Sequence, residues 1–405
     1  MANTFTPTDV YAIVNEMSKE MFGSEATIQV IDTSSFVAVG EKMLRSGYTN
    51  TLNALSNVIG RTIIAARPYK GRFRLIVKIP QEWGGIERKI SFYATKNEPT
   101  ESFNTNLNPS QLIDGGSVDP WKISKDYPLE MNFCGIKTLQ KSYTTWVDQL
   151  KAAFADPAAL GVFISGRLVN IANDIEVSMD AQNWLHVLNA IAATYNVGAP
   201  RQKVNLTQAF NDFYGTSYTS AQLRGEHFTE FIEFFVMRLQ GDMELAKEYN
   251  ELFHIYPPRQ DDAGNELTLL RHTPAEMRRL ILYMPLIRQG EKTVFPALFN
   301  DSYLKLDNFE SCEYWQNPNE PSKISVTPNQ LDIATGQAVN GSAVALDYVV
   351  GIMFDRDALA TSIKLEDVYT TGINARGKYF NTVYHWAHLF KLDQTENMII
   401  YYMAD

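Results

Sequence analysis

An α+β fold is predicted by three features of the sequence. Apolar residues at helical spacing run without a proline from Ala158 to Ala199. A stretch of β-formers mixed with basic residues spans Arg61 to Lys96, and the C-terminal region from Leu346 to Met403 is dominated by β-branched and aromatic runs. With 45% hydrophobic residues in 405, the chain can build a sizeable core, which excludes a disordered or collagen-like polymer.

In chain order, Pro7-Thr8-Asp9 is a helix start, and Val10, Ile13, Val14, Met17 and Met21 fall on one face before Gly23-Ser24 ends it. Residues 25–60 combine a strand-like patch at Ile28–Ile31 with a helical stretch at Thr49–Ile59. Phe73, Leu75, Ile76, Val77 and Ile79, then Ile86, Ile90 and Phe92, flank Gly84-Gly85 and predict an extended hairpin. Residues 97–128, broken by Pro99, Pro109, Gly115-Gly116, Pro120 and Pro128, read as loop, with a returning strand at Leu129–Thr138. Pro157 suits the first position of the long helix, whose polar Asn173, Asp174, Glu176 and Asp180 are expected to bend or divide it. Further on, Ser220 is the expected cap of a helix reaching Tyr249, Thr273–Glu276 a capped turn, Leu280–Met284 a buried strand, Val294–Phe299 a helical turn and 316–342 a surface loop. Leu346–Phe354 is a strand. Tyr379–Leu392 and Met398–Met403 are expected to form a hairpin around the polar turn Asp393–Asn397.

Several functional classes lose their support. Cys134 and Cys312 cannot make a disulfide framework, and a reducing compartment suits them. No stretch approaches the roughly 18 apolar residues of a membrane span, and the first residues show no secretion signal. GxxxxGK(S/T), GxGxxG, GxSxG and HExxH are all absent. His385 and His388, three apart in an expected strand, point to opposite sides and make no metal pair; His186 beside Trp184 reads as a helix residue. Asp261-Asp262 and the group Asp174, Glu176, Asp180 read as solvated acids rather than a catalytic pair. No catalytic residue, cofactor or metal is expected.

Charge is the informative property. The net charge is −10, yet Arg61–Lys96 holds nine basic residues against two acidic ones, so this window carries +7 and the remainder −17. A projecting hairpin buries little of its own surface and needs a partner. Self-association is favoured over a nucleic-acid arm, because the aromatics are too few for base stacking.

Specific stretches carry a family resemblance. Phe36–Gly40 followed by Thr51–Thr62, the strand Leu346–Asp355, and Ala375-Arg376-Gly377-Lys378-Tyr379-Phe380-Asn381 with Tyr384-His385-Trp386 are similar to major capsid proteins of tailed bacteriophages with the Hong Kong 97-type fold, most of all those of small short-tailed phages of Gram-positive hosts. The resemblance implies an N-terminal arm and first P-domain segment (1–65), an E-loop (66–140), a P-domain with spine helix (141–197), an A-domain (198–350) and a C-terminal P-domain hairpin (351–405). It implies a homo-oligomer of pentamers and hexamers enclosing double-stranded DNA without sequence-specific binding, made in the host bacterial cytoplasm, aided by scaffolding protein and portal and independent of membranes. Arg72, Arg74, Lys78, Arg88 and Lys89 are expected to meet Asp174, Glu176 and Asp180 of a neighbouring subunit, with Arg376 as a further contact. An encapsulin-type compartment shell shares the fold, and a cytosolic enzyme is the rival from another class.

Overall fold

A computed structural model describes residues 7–23, 30–48, 50–51, 53–55, 72–78, 86–94, 125–134, 136–290 and 309–405. The described residues fall into two units, and the chain passes between them at 85/86, 133/134, 186/187, 360/361 and 390/391. The strands are β1 (Val77–Lys78), β2 (Glu87–Phe92), β3 (Pro128–Phe133), β4 (Ile136–Trp146), β5 (Lys203–Asn205), β6 (Arg259–Gln260), β7 (Glu266–Leu267), β8 (Arg278–Tyr283) and β9 (Phe309–Cys312). They continue with β10 (Ile324–Val326), β11 (Asn329–Leu331), β12 (Ala338–Asn340), β13 (Val344–Leu346), β14 (Tyr348–Asp355), β15 (Leu359–Thr370), β16 (Tyr379–Leu392) and β17 (Met398–Met403).

The first unit is built on a sheet ordered β1-β15-β16-β4, with β16 and β4 antiparallel from Tyr379↔Trp146 to Leu389↔Ile136. Its core joins Phe380, Tyr384 and Trp386 of β16 to Leu160, Ile164, Ile171 and Ile175 of the long helix Pro157–Val197. Helices α1 (Pro7–Phe22) and α2 (Thr33–Ser46) pack in through Val14, Met17, Phe36 and Met43. The α1 expectation holds. Helix α2 falls between the expected strand-like patch, whose described residues Val30 and Ile31 are not strand, and the expected later helix. Asp32 accepts from Ser35 N at 2.7 Å while the Ser35 hydroxyl receives the Asp32 amide at 3.0 Å, a reciprocal cap that starts a helix. Gly40 of α2 lies against Phe154, where a Cβ would meet the ring at 2.9 Å. Only 50–51 and 53–55 of the expected Thr49–Ile59 helix are described, and these are helical; the rest of that stretch, Thr49 among it, lies outside the described residues, as does Ile28.

The second unit centres on a five-stranded sheet, β5-β17-β14-β8-β9. Leu280–Leu282, Val349, Ile352, Phe354 and Ile399–Tyr401 are buried in it, and the helix Phe228–Lys247 adds Phe231, Phe235 and Leu239 to the core. Gly351 permits the β14–β8 approach, since a Cβ there would lie 2.4 Å from the Leu282 side chain.

Five expectations change. The long helix is continuous across Asn173–Asp180, where Asp174, Glu176 and Asp180 find side-chain partners rather than breaking the backbone. The two arms of the basic segment do not pair with each other: β1 runs parallel to β15 at Val77↔Thr361, while β2 pairs with β3 from Glu87↔Phe133 to Phe92↔Pro128. The Gly84-Gly85 turn, residues 97–124 and Val294–Phe299 lie outside the described residues. Thr219, not Ser220, caps a short helix Ser220–Arg224, and Gly225 separates it from Phe228–Lys247. The expected loop 316–342 holds strands β10, β11 and β12. Finally, β16 and β17 belong to different sheets and make no hairpin. The intervening Asp393–Asn397 is buried, and its backbone is satisfied by Asp393 N to Ala358 O (2.7 Å), Ile255 N to Gln394 O (3.0 Å) and Asp355 N to Asn397 O (2.9 Å).

Candidate functional site

Glu176, Asp180 and Trp184 recur every four residues on the long helix and so share a face. Against that face lies Arg72-Phe73-Arg74. The Arg74 guanidinium meets Glu176 Oε1 at 2.5 Å, and the glutamate side chain is buried. The Arg72 amide donates to Asp180 Oδ1 at 2.6 Å, while its guanidinium stands 5.1 Å from the Trp184 ring centre. Phe73, fully buried, takes a left-handed backbone (φ 52°, ψ 43°) and meets Trp184 edge-on at 5.7 Å. A bulky residue adopts that conformation only when its packing holds it there. Two residues before Glu176, Asp174 accepts from the Tyr143 hydroxyl and lies 3.2 Å from Lys141 Nζ. Burial, reinforced by that carboxylate, pushes the Tyr143 phenol well above its ordinary range.

The basic residues of this segment were expected to meet Asp174, Glu176 and Asp180 across a subunit boundary. For Arg72 and Arg74 the complementary acids are already engaged within one chain. Lys78 sits in β1 opposite Ser362, and its side chain lies outside the described residues. Arg376 is exposed in a turn, where Asn374 Oδ1 accepts the Arg376 and Gly377 amides, each at 3.0 Å.

Strand β2 is polar inward, and its outward face mixes Arg88 with apolar residues. Lys89 faces in, 2.5 Å from Asp393 Oδ2 and bonded also to Glu396. Glu87 accepts from Lys391 at 2.6 Å, and Ser91 Oγ receives Arg271 Nη2 at 2.7 Å. Outward stand Ile86 (61% exposed), Arg88, Ile90 and Phe92 (58%), with Arg88 bonded to Glu130 of β3 at 2.8 Å. The long helix offers a second exposed apolar surface: Val162 (72% exposed), Gly166, Val169, Val177, Ala181 and Leu185 (56%) form a stripe roughly 35 Å long. Sequence reasoning missed Trp184, Asp393 and Glu396. The four-residue spacing was a readable signal for the first; nothing local marks the other two.

The remaining chemistry-bearing residues have structural roles. Asp261 Oδ1 accepts the Ala263 and Asn265 amides at 2.9 and 2.8 Å, tying a turn. His388 is buried, stacked on Phe390 at 5.9 Å, and burial lowers its pKa to about 4 with help from Lys137, so the ring is neutral at physiological pH. His385 lies on the other side of β16, against Tyr369 at 5.7 Å. Cys134 is exposed and Cys312 buried, both as free thiols. Among the described residues no group of three or more His, Cys, Asp or Glu is arranged to hold a metal, and no helix is long and apolar enough to cross a membrane.

Residues 10–402 match the model of a family described as Phi29-like phage major capsid protein. No curated protein matches the sequence. Among solved structures, a chain in the capsid of Staphylococcus phage Andhra superposes with a TM-score of 0.52 at 10% identity, over 83% of this chain and 85% of that one. A chain in the capsid of cyanophage P-SCSP1u gives a TM-score of 0.42 at 13% identity, over 84% and 90%. At such identities the first likeness speaks to the fold alone, and that fold is of the Hong Kong 97 type.

Proposed function

The chain belongs to the Phi29-like phage major capsid protein family, and from that premise we propose how its copies join. It is a tailed-phage major capsid protein, a structural subunit of the multi-copy shell of the virion. The family match does not favour the encapsulin-type alternative.

Copies associate through apolar surfaces more than through charge. The observation that carries this reading is the polarity of β2 and the residue before it, which turns Ile86, Ile90 and Phe92 to solvent beside Arg88 while Glu87, Lys89 and Ser91 face inward. An exposed apolar strand face of this kind calls for a protein partner. The uncharged stripe Val162–Leu185 on the long helix of a second copy is a complementary surface. Arg88, Lys78, Asp174 and Arg376 supply polar contacts around it, whereas Arg72, Arg74, Lys89, Glu176 and Asp180 shape each subunit from within. Individual exposed ion pairs contribute only about 0–1 kcal/mol, so apolar burial repeated over many interfaces carries the shell.

The finer plan follows the family. It has an N-terminal arm over 1–65, an E-loop over 66–140, a spine-bearing P-domain over 141–197, an A-domain over 198–350 and a C-terminal P-domain segment over 351–405. Pentamers and hexamers of such subunits enclose double-stranded DNA, with scaffolding protein and portal as assembly partners, in a small short-tailed phage whose Gram-positive host makes the protein in its cytoplasm. The subunit acts through its surfaces rather than by catalysis. The decisive experiment replaces Ile90 and Phe92 together with Glu. Negative-stain microscopy is expected to show folded subunits and no particles; particles in normal yield would overturn the apolar interface.

A further inference from the structure

The geometry points to a buried binding site for one proton, formed in the second unit by His254, Asn397, Thr273 and Asp355 acting together. All four side chains are buried. His254 Nε2 lies 2.9 Å from the Leu269 carbonyl, and Nδ1 lies 3.1 Å from the Asn397 side-chain amide. That amide reaches the Thr273 hydroxyl at 3.1 Å, and the hydroxyl stands 2.9 Å from Asp355 Oδ2. The Asp357 amide donates to Asp355 Oδ1 at 2.8 Å.

Counting hydrogens sets the occupancy of this chain. The Leu269 carbonyl only accepts, so Nε2 carries a hydrogen. The bare Nδ1 of a neutral ring then takes an Asn397 N–H, and the Asn397 oxygen takes the Thr273 hydrogen. The Thr273 oxygen now needs a donor, so the Asp355 carboxyl must be protonated. The mirror arrangement runs every bond the other way, from an imidazolium to a carboxylate, and again holds one proton. With no proton, two buried acceptors face each other; with two, a hydrogen on Asp355 meets the Thr273 hydrogen or the Asp357 amide. Burial lowers the pKa of His254 and raises that of Asp355, which selects the neutral ring and the protonated carboxyl. Among the surrounding charges, Glu396 and Asp357 favour the protonated acid, and Arg271 opposes a charged ring that Glu396 alone would favour. The Tyr256 ring stands 5.7 Å from that of His254, and Arg278, opposite Asp355 in the β14–β8 pair, reaches the Met243 carbonyl at 3.5 Å.

The site lies within one copy and stands apart from the assembly reading, so it is tested on the unassembled full-length protein. Asp355→Asn places a permanent N–H where the acid proton sits and needs no proton. Denaturant unfolding is followed by pulsed hydrogen exchange at the β14 and β17 amides. In the unfolded chain Asp355 is ionised above about pH 5, so relative to the variant the native wild type binds one extra proton. The folding equilibrium constant of wild type divided by that of Asp355→Asn is therefore expected to fall about 100-fold as the pH rises from about 5 to about 7. A ratio changing less than about threefold over that range would overturn the site. Should Asp355→Asn fail to fold, nitrogen NMR of histidine-labelled wild type decides. His254 is expected to stay the neutral Nε2–H tautomer from about pH 7 down to about pH 5, and a ring that becomes charged within that range would overturn the site.

Discussion

Two attachments of the basic segment use the same charged partners and differ in what lies beneath them. At Arg72-Phe73-Arg74, the cations flank a phenylalanine buried edge-on against Trp184. At Lys89, the neighbouring apolar side chains of β2 face away and only charge and a hydroxyl point inward. Coulomb attraction alone sets direction but resists water poorly, whereas an aromatic seated in the core fixes position. The first attachment is seated on a buried ring, and the second rests, on the β2 side, on polar groups.

Truncating the aromatic anchor is the strongest way to break this contrast. Phe73→Ala is expected to destabilise the chain by about 3–5 kcal/mol in denaturant unfolding, because a large buried ring is lost. A loss below about 1 kcal/mol would mean that the charges, not the ring, hold the segment. Glu176→Gln sharpens it from the other side. The half-exposed Arg74 recovers water when its partner is neutralised, so the loss should be about 1–2 kcal/mol, less than for Phe73→Ala. The smallest effect belongs to Arg88→Ala, which removes an exposed pair with Glu130. Its stability should change by about 0–1 kcal/mol, and a larger loss would show that the outward face of the hairpin is packed within the subunit.

What the sequence revealed follows a physical divide. Pro157–Val197, β8, β14, β16 and β17 were legible because each carries its own period of apolar residues. Strand pairing was not, since alternation of two says nothing about the partner: β1 and β2 looked like one hairpin and pair with β15 and β3. Helix α2 went unread because its Asp32–Ser35 cap uses Ser rather than Glu as the reciprocal partner. Asp393–Asn397 has the composition of a surface turn and is buried, because its acceptors and donors are met by residues 35 to 307 positions away, such as Ala358 and Lys89. At the candidate site, the acids of the long helix and the arginines were identified as complementary, but their meeting within a single chain depends on the fold of 72–78 and no local signal encodes it.

In the order of the five-stranded sheet, β17 stands between β5 and β14, although it is the last of the five to be synthesised. Until Met398–Met403 has left the ribosome, β14 and β5 keep unpaired edges and the hydrophobic layer between them has a missing plank. A half-made chain thus has no finished five-stranded sheet. The middle of this sheet is therefore the last part of it that the chain can close.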